Sequence, residues 1–295
     1  MAEKITAQMV KTLREQTGAG MMECKKVLTE AEGDIKKAEM LLVSRGQKKA
    51  QKSAARTAAE GMIAIQANEK ATVIAEINCE TDFAAKDENF VNFSTQVTQL
   101  CLDNDIDTVE ALYEQTINGE TVNAVRESLV AKIGENVQVR RILKETTEAG
   151  QVVGAYVHRQ RIGVAVTLQG GDEALAKDLA MHIAALNPKY FRHEDMPKDE
   201  IEKQKAVFLE KEQESGKPAN IIEKIVEGKI KKIMNEECLV GQPFFKDPDQ
   251  TVAALLKSNK AEIVRYTRFE VGEGIEVKKL SFADEVAEQA RGSNA

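Results

Sequence analysis

Residues 71–79 alternate strictly, with Val73, Ala75, Ile77 and Cys79 on one side and Thr72, Ile74, Glu76 and Asn78 on the other. A period of two predicts a strand. A second candidate strand, 61–67, precedes it across the short turn Asn68-Glu69-Lys70. The period then lengthens. Phe90, Phe93, Val97 and Leu100 form one helical stripe, and Val122, Val125, Leu129 and Ile133 form another that Gly134 closes. A strand follows through Val137, Val139 and Arg141. The same order returns downstream: strands over 151–158 and 162–168, a helix through Leu175, Leu179, Ile183 and Leu186, a helix over 252–257 and a strand over 263–271. Two rounds of strand, strand, helix, helix, strand predict an α+β chain with two similar α/β subdomains, 61–145 and 146–280.

Helical spacing dominates elsewhere. Residues 1–46 predict a module of three short helices. Thr6 caps the first, whose apolar positions are Met9, Val10 and Leu13, and Thr17-Gly18-Ala19-Gly20 breaks it. The second runs through Met22, Val27 and Leu28 to the Glu32-Gly33 turn. Asp34 caps the third (Ile35, Ala38, Leu41, Leu42), and Gly46 is expected to end it. Met21 and Met22 are adjacent and cannot both face one core, so one is expected at the surface. Residues 47–60 form a basic, alanine-rich connector with Lys48, Lys49, Lys52 and Arg56, readable as a linker or as a small nucleic-acid patch. From Pro197 to Glu236 two helical arms flank Ser215-Gly216-Lys217-Pro218, one stepping through Ile201, Lys205, Phe208 and Glu212. The other steps through Ile222, Ile225, Val226, Lys229 and Ile233, with Asn220 as its expected cap. The pattern predicts a helical hairpin inserted into the second subdomain and narrow enough for a coiled coil. Residues 281–295 predict a short helix with Phe282 and Val286, then a disordered tail.

Composition narrows the function. A chain of 295 residues allows two or three folding units, and its net charge of −7 opposes general affinity for nucleic acid or anionic membranes. Cys24, Cys79, Cys101 and Cys238 are too scattered for a zinc cluster or a disulfide scaffold, and they read as reduced thiols. No apolar run reaches membrane-spanning length and the N-terminus lacks a signal-peptide core, so a cytoplasmic protein is expected. His158, His182 and His193 form no metal or nucleophile motif, and His182 reads as a packed structural residue. Gly18-Ala19-Gly20 follows no strand and lacks a third glycine, so direct nucleotide binding is not expected. No catalytic constellation, metal site or cofactor is expected.

The remaining signal is the turn after residue 79. Glu80-Thr81-Asp82 is polar, yet Phe83 follows at once. The residues alone leave two readings open: Phe83 folds into the core while Asp82 caps the next helix, or Phe83 stands out as a contact.

Two longer stretches bear on the choice. Glu76-Ile77-Asn78-Cys79-Glu80-Thr81-Asp82-Phe83 and Leu13-Arg14-Glu15-Gln16-Thr17-Gly18-Ala19-Gly20-Met21-Met22-Glu23-Cys24-Lys25-Lys26 resemble the two signatures of the bacterial elongation factor Ts family. The resemblance runs from Ile5 to about Val286. It implies a ubiquitin-associated-like N-terminal module, a coiled coil at the insertion, and exchange of guanine nucleotide on the partner GTPase elongation factor Tu. It also implies that Thr81, Asp82, Phe83 and Ala84 reach the partner's magnesium site. Arg14, Met21, Met22, Lys25 and His158 would dock. At Ala84 the family usually carries valine. A non-catalytic adaptor on the ribosome or RNA is the alternative reading.

Overall fold

The fold is known from a computed structural model that describes residues 5–214 and 217–276. It mixes helices and small sheets in an α+β arrangement. The chain forms two compact units. Among the described residues the first comprises 5–64, 75–143 and 270–276, and the second 65–74 and 144–269.

The first unit begins with α1 (Ala7–Thr17), α2 (Met21–Glu30) and α3 (Ile35–Ser53). Thr6 accepts a hydrogen bond from the Met9 amide and Asp34 one from the Lys37 amide, as N-caps do. Leu13, Val27, Leu28, Cys24 and Ala38 fill the module's core. Gly46 does not end α3. The helix continues to Ser53 because Gly46 faces α6 (Val122–Ile133), where a Cβ would come within 3.3 Å of the Ala131 methyl. Here glycine serves close helix approach instead of a stop. The first half of the basic connector is therefore helix. Lys49 donates to Ala131 O at 2.9 Å and Arg56 to Gly134 O at 3.2 Å, which turns both cations back onto this chain.

Strands β1 (Glu60–Ala67), β2 (Ala71–Cys79) and β5 (Gln138–Thr146) form one sheet in the order β1-β2-β5. Between β2 and β5 lie α4 (Glu88–Asp103), α5 (Val109–Glu114), the two-residue strands β3 (Thr116–Ile117) and β4 (Glu120–Thr121), and α6. The α4 stripe buries Phe90, Phe93, Val97 and Cys101, with Leu100 only half-buried. The alternation along β2 is real, but neither face is wet: every residue from Ala71 to Cys79 is buried. Glu76 and Asn78 are 0% exposed.

The second unit repeats the order. Strand β6 (Gln151–His158) pairs antiparallel with β7 (Ile162–Gln169), and β10 (Glu262–Glu270) completes a sheet ordered β10-β7-β6. In both sheets the second strand of the hairpin is central and the last strand joins it. Helices α7 (Glu173–Leu186) and α10 (Val252–Ser258) cover a core of Val164, Val166, Leu168, Leu179, Ile183 and Leu256, with the short strands β8 (Pro243–Phe244) and β9 (Asp247–Thr251) between them.

The insertion is a pair of packed helices, α8 (Lys198–Gln213) and α9 (Ala219–Glu237). Pro218, not Asn220, occupies the position before α9; Asn220 lies in its first turn. No residue of α8 is buried, and α9 buries Ile222 and Val226. The chain is fastened where the insertion leaves the unit. The amides of Lys189 and Tyr190 donate to Glu237 O, and Leu239 N donates to Tyr190 O at 2.9 Å. The expected helix over 281–290 lies outside the described residues.

His182 is fully buried on α7. The Phe245 amide donates to its Nδ1 at 3.3 Å, so that nitrogen is unprotonated and Nε2–H donates to Gln242 Oε1 at 2.9 Å. The Gln242 amide is itself oriented by donating to Glu236 O. Burial holds the imidazole below its ordinary value, against the smaller opposing pull of the Gln242 hydrogen bond.

Two outcomes follow. Replacing 198–236 with a short linker is expected to leave the circular dichroism of the remaining elements and the Tm within about 3 °C of the parent, because the two arms pack chiefly on each other. Loss of cooperative melting would make the arms part of the core. For His182, the unfolded chain takes up a proton below the ordinary value of 6.5 while the folded chain does not. Stability is then present above that pH and is lost as pH falls toward the depressed folded value. Urea unfolding from about pH 7 to about pH 5 should show a shallower pH slope for His182→Asn than for the parent; equal slopes would refute the assignment.

Candidate functional site

The strand β2 ends at Cys79, and residues 80–83 turn into a short 3₁₀ segment, Ala84–Lys86, before α4. The Cys79 thiol donates to Thr81 O at 3.2 Å. Burial, aided by the nearby Glu135 carboxylate, pushes that thiol up to about 12, so it stays protonated and remains a donor. The Thr81 hydroxyl accepts from the Ala84 amide at 3.2 Å and donates to Glu135 Oε1 at 2.6 Å. Glu135 Oε2 accepts from the amides of Glu80 and Thr81 at 3.1 and 2.9 Å.

On this braced turn Phe83 is 80% exposed. The core reading of Phe83 is therefore excluded for the free protein. The companion idea, a cap from Asp82, also fails: α4 is capped by Asp87, which accepts from the Asn89 amide. Asp82 is exposed and ion-paired with Lys86 at 2.7 Å, and the same ammonium lies 5.9 Å from the Phe83 ring centroid. Thr81 is exposed as well. Ala84 is buried, underlying the turn instead of standing beside Phe83. Sequence reasoning missed Glu135. Its one signal was position, since Glu135 directly follows the helix-ending Gly134, three residues before β5.

A second exposed surface lies on the three-helix module. Met21 and Met22 are both exposed, where only one was expected. With Ile5, Val10, Arg14 and Lys25 they line a mostly apolar hollow of about 860 Å³, whose rim carries the cations Lys11, Arg14 and Lys25 and the carboxylate Glu15. Packing gives the reason: Cys24, Val27 and Leu28 already supply the inward face of α2, so both residues of its first turn point outward. Gly18 has φ 68° and caps α1 by donating to Arg14 O, which gives that glycine a helix-ending role.

His158 ends β6 in the second unit, exposed, with Nδ1 3.0 Å from the Tyr156 hydroxyl. The structure thus joins Thr81–Ala84 into one turn and Arg14, Met21, Met22 and Lys25 into one hollow. His158 lies on the other unit. Among the described residues no group of three or more His, Cys, Asp or Glu is placed to hold a metal ion, and no helix is long and apolar enough to cross a membrane.

Comparison with known proteins places the chain in a family. The family model for elongation factor TS matches residues 80–273. Elongation factor Ts of Alkalilimnicola ehrlichii is 51% identical over 291 residues, covering 98% of this chain and 99% of its own length. Elongation factor Ts of Thioalkalivibrio sulfidiphilus is 50% identical with the same coverage, and that of Idiomarina loihiensis is 50% identical over 97% of each chain. At such identity over nearly the full length, the chain belongs to the elongation factor Ts family of translation elongation factors.

Proposed function

We propose that this protein is a cytoplasmic, non-enzymatic guanine-nucleotide exchange factor that binds elongation factor Tu and speeds release of GDP so that GTP can reload. The observation that carries this reading is Phe83, a large apolar side chain 80% exposed on a turn held by hydrogen bonds. An exposed phenylalanine forgoes the roughly 2 kcal/mol that burial would give it, and a partner that covers it recovers that energy. Membership of the Ts family supports elongation factor Tu as that partner.

The chemistry needs no covalent step. GDP in a GTPase is held partly through Mg²⁺, whose octahedral shell tolerates little distortion. In the proposed complex Phe83 wedges between the loops around that ion. Asp82 exchanges its exposed pairing with Lys86 for the environment of the magnesium and phosphates. Thr81 and Ala84 shape the turn. The pairing costs little to break, since exposed ion pairs contribute about 0–1 kcal/mol. Met21, Met22, Arg14 and Lys25 form the docking face, a mostly apolar hollow with a mainly cationic rim suited to a partner surface that is apolar at its centre and acidic at its edge. His158 adds a contact from the second unit. Coupling is reciprocal: whatever loosens GDP is itself loosened by GDP, so the protein accelerates exchange in both directions.

The decisive measurement is release of fluorescent GDP from elongation factor Tu. Phe83→Ala is expected to slow release at saturating protein by at least roughly tenfold, the scale of losing an interfacial anchor. Its Tm should stay within about 2 °C of the parent, because an exposed ring contributes little to the core. Full-rate release by Phe83→Ala would refute the wedge. The Met21→Ala, Met22→Ala double variant should instead raise the Kd for elongation factor Tu about fivefold or more while leaving the saturated release rate near the parent's. An unchanged Kd would remove the hollow from the interface.

A further inference from the structure

The turn that presents Phe83 is not stiff by its own composition. A Glu-Thr-Asp-Phe segment carries no proline, and its side chains are exposed from Thr81 to Phe83. Its backbone donors point inward, and they converge on one residue from 54 positions away: Glu135 takes the Thr81 amide, the Glu80 amide and the Thr81 hydroxyl on its two carboxylate oxygens. The bonds run in the other direction too, because the Asn136 amide donates to the Glu80 carboxylate. Arg56 closes the frame. Its guanidinium pairs with Glu80 at 3.3 Å and donates to Gly134 O, while its own carbonyl accepts from Asn136 Nδ2 at 2.9 Å. Gly134 at φ 89° ends α6 and turns the chain so that Glu135 faces the turn.

We infer that Glu135 is a positioning residue for exchange, fixing the direction in which Phe83 is presented by holding the Glu80–Thr81 backbone. A carboxylate suits the task because it only accepts. It can take the two amides on one oxygen and the hydroxyl on the other, all as charge-assisted bonds. Without it, two amides and a hydroxyl face solvent, and the turn samples several orientations before binding. Phe83 would then lose freedom on docking that the parent has already given up, a cost that falls on complex formation and on the opened state. This inference rests on the wedge reading of Phe83, so its test includes a measurement that does not depend on elongation factor Tu.

The chain contains no tryptophan, so Phe83→Trp places a single reporter at the tip of the turn. In the free protein, fluorescence anisotropy decay of Phe83→Trp should show a restricted indole. Adding Glu135→Ala should increase the amplitude of fast motion while circular dichroism and Tm remain close to those of Phe83→Trp alone. Glu135→Gln keeps the length and one carbonyl oxygen for the two amides, and should restore most of the restriction. On the unlabelled background, Glu135→Ala should slow GDP release at saturation by roughly fivefold to tenfold, with Glu135→Gln recovering most of the loss. Unchanged anisotropy in Glu135→Ala overturns the positioning role whether or not the protein acts in exchange. Greater mobility with an unchanged release rate overturns its link to exchange. Failure of the parent itself to release GDP would instead refute the exchange reading, and the anisotropy result would still decide what holds the turn. If Glu135→Ala does not fold, Thr81→Val, which removes the hydroxyl's bond to Glu135 together with the one it accepts from the Ala84 amide, carries the same anisotropy comparison, and no gain in mobility there overturns the role.

Discussion

The first unit depends on a charge placed where charges are costly. Glu76 is wholly buried in the middle of β2, and burial alone would drive its carboxyl toward the neutral form. Hydrogen bonds outweigh that pressure and hold the group below its ordinary value: the Gly272 amide at 2.8 Å, Asn78, Arg140 at 3.1 Å and Arg141 at 2.6 Å. The two arginines continue to the carbonyls of Glu273 and Glu270, so one carboxylate ties β2, β5 and the segment after β10 together. Gly272 makes the approach possible, since at φ 77° a Cβ there would lie 2.3 Å from Ala59 O. Such a cluster stabilises little relative to an apolar substitute, but losing the carboxylate takes from Arg140, Arg141, Asn78 and the Gly272 amide the one acceptor they share. Its value is specificity of register. A shift of one residue along β2 would turn Glu76 away from all of these donors.

That register governs the exposed turn. Cys79, whose thiol bonds to Thr81 O, lies three positions beyond Glu76, and Glu135 stands three residues before β5, the strand that carries Arg140 and Arg141. The buried charge and the frame around Thr81 therefore use the same two strands. A rigid β2–β5 pairing is what allows Glu135 to meet the Glu80 and Thr81 amides at hydrogen-bond distance. The apolar residue left outside is held by polar bonds on the inside.

Local pattern carried much of the fold because each feature it read is settled within a few residues. The caps at Thr6 and Asp34, the stop at Gly134, the two hairpins and the repeated element order all follow from periods and turn residues. What escaped depends on distant partners. Gly46 reads as a stop until Ala131 lies against it, and nothing local marks Glu76 as buried until arginines 64 and 65 positions later surround it. The helix α5 and the two-residue strands around it are too short for a period to register. At the candidate site the limit was sharper. Nothing local separated a core Phe83 from an exposed one, and the family signature favoured the exposed position that Phe83 takes in the structure. Glu135 carried no motif of its own, because its role is defined by amides it meets only after β2 and β5 pair.

The arrangement also bears on how a factor of this kind can be tight enough to act and loose enough to leave. Reciprocity means that strain placed on GDP is subtracted from the factor's own hold. If one surface did both jobs, strengthening its grip would trap the partner. Here the methionine hollow and the Phe83 turn are separate features of the first unit, and they differ in kind. The hollow is built of flexible thioethers that can follow a partner through a change of shape. The turn is braced by Glu135, which on the proposed reading would keep its phenylalanine in one direction against a partner. On the proposed reading, the compliant surface supplies affinity in both nucleotide states, and the stiff one supplies the difference between them. Only that difference accelerates release.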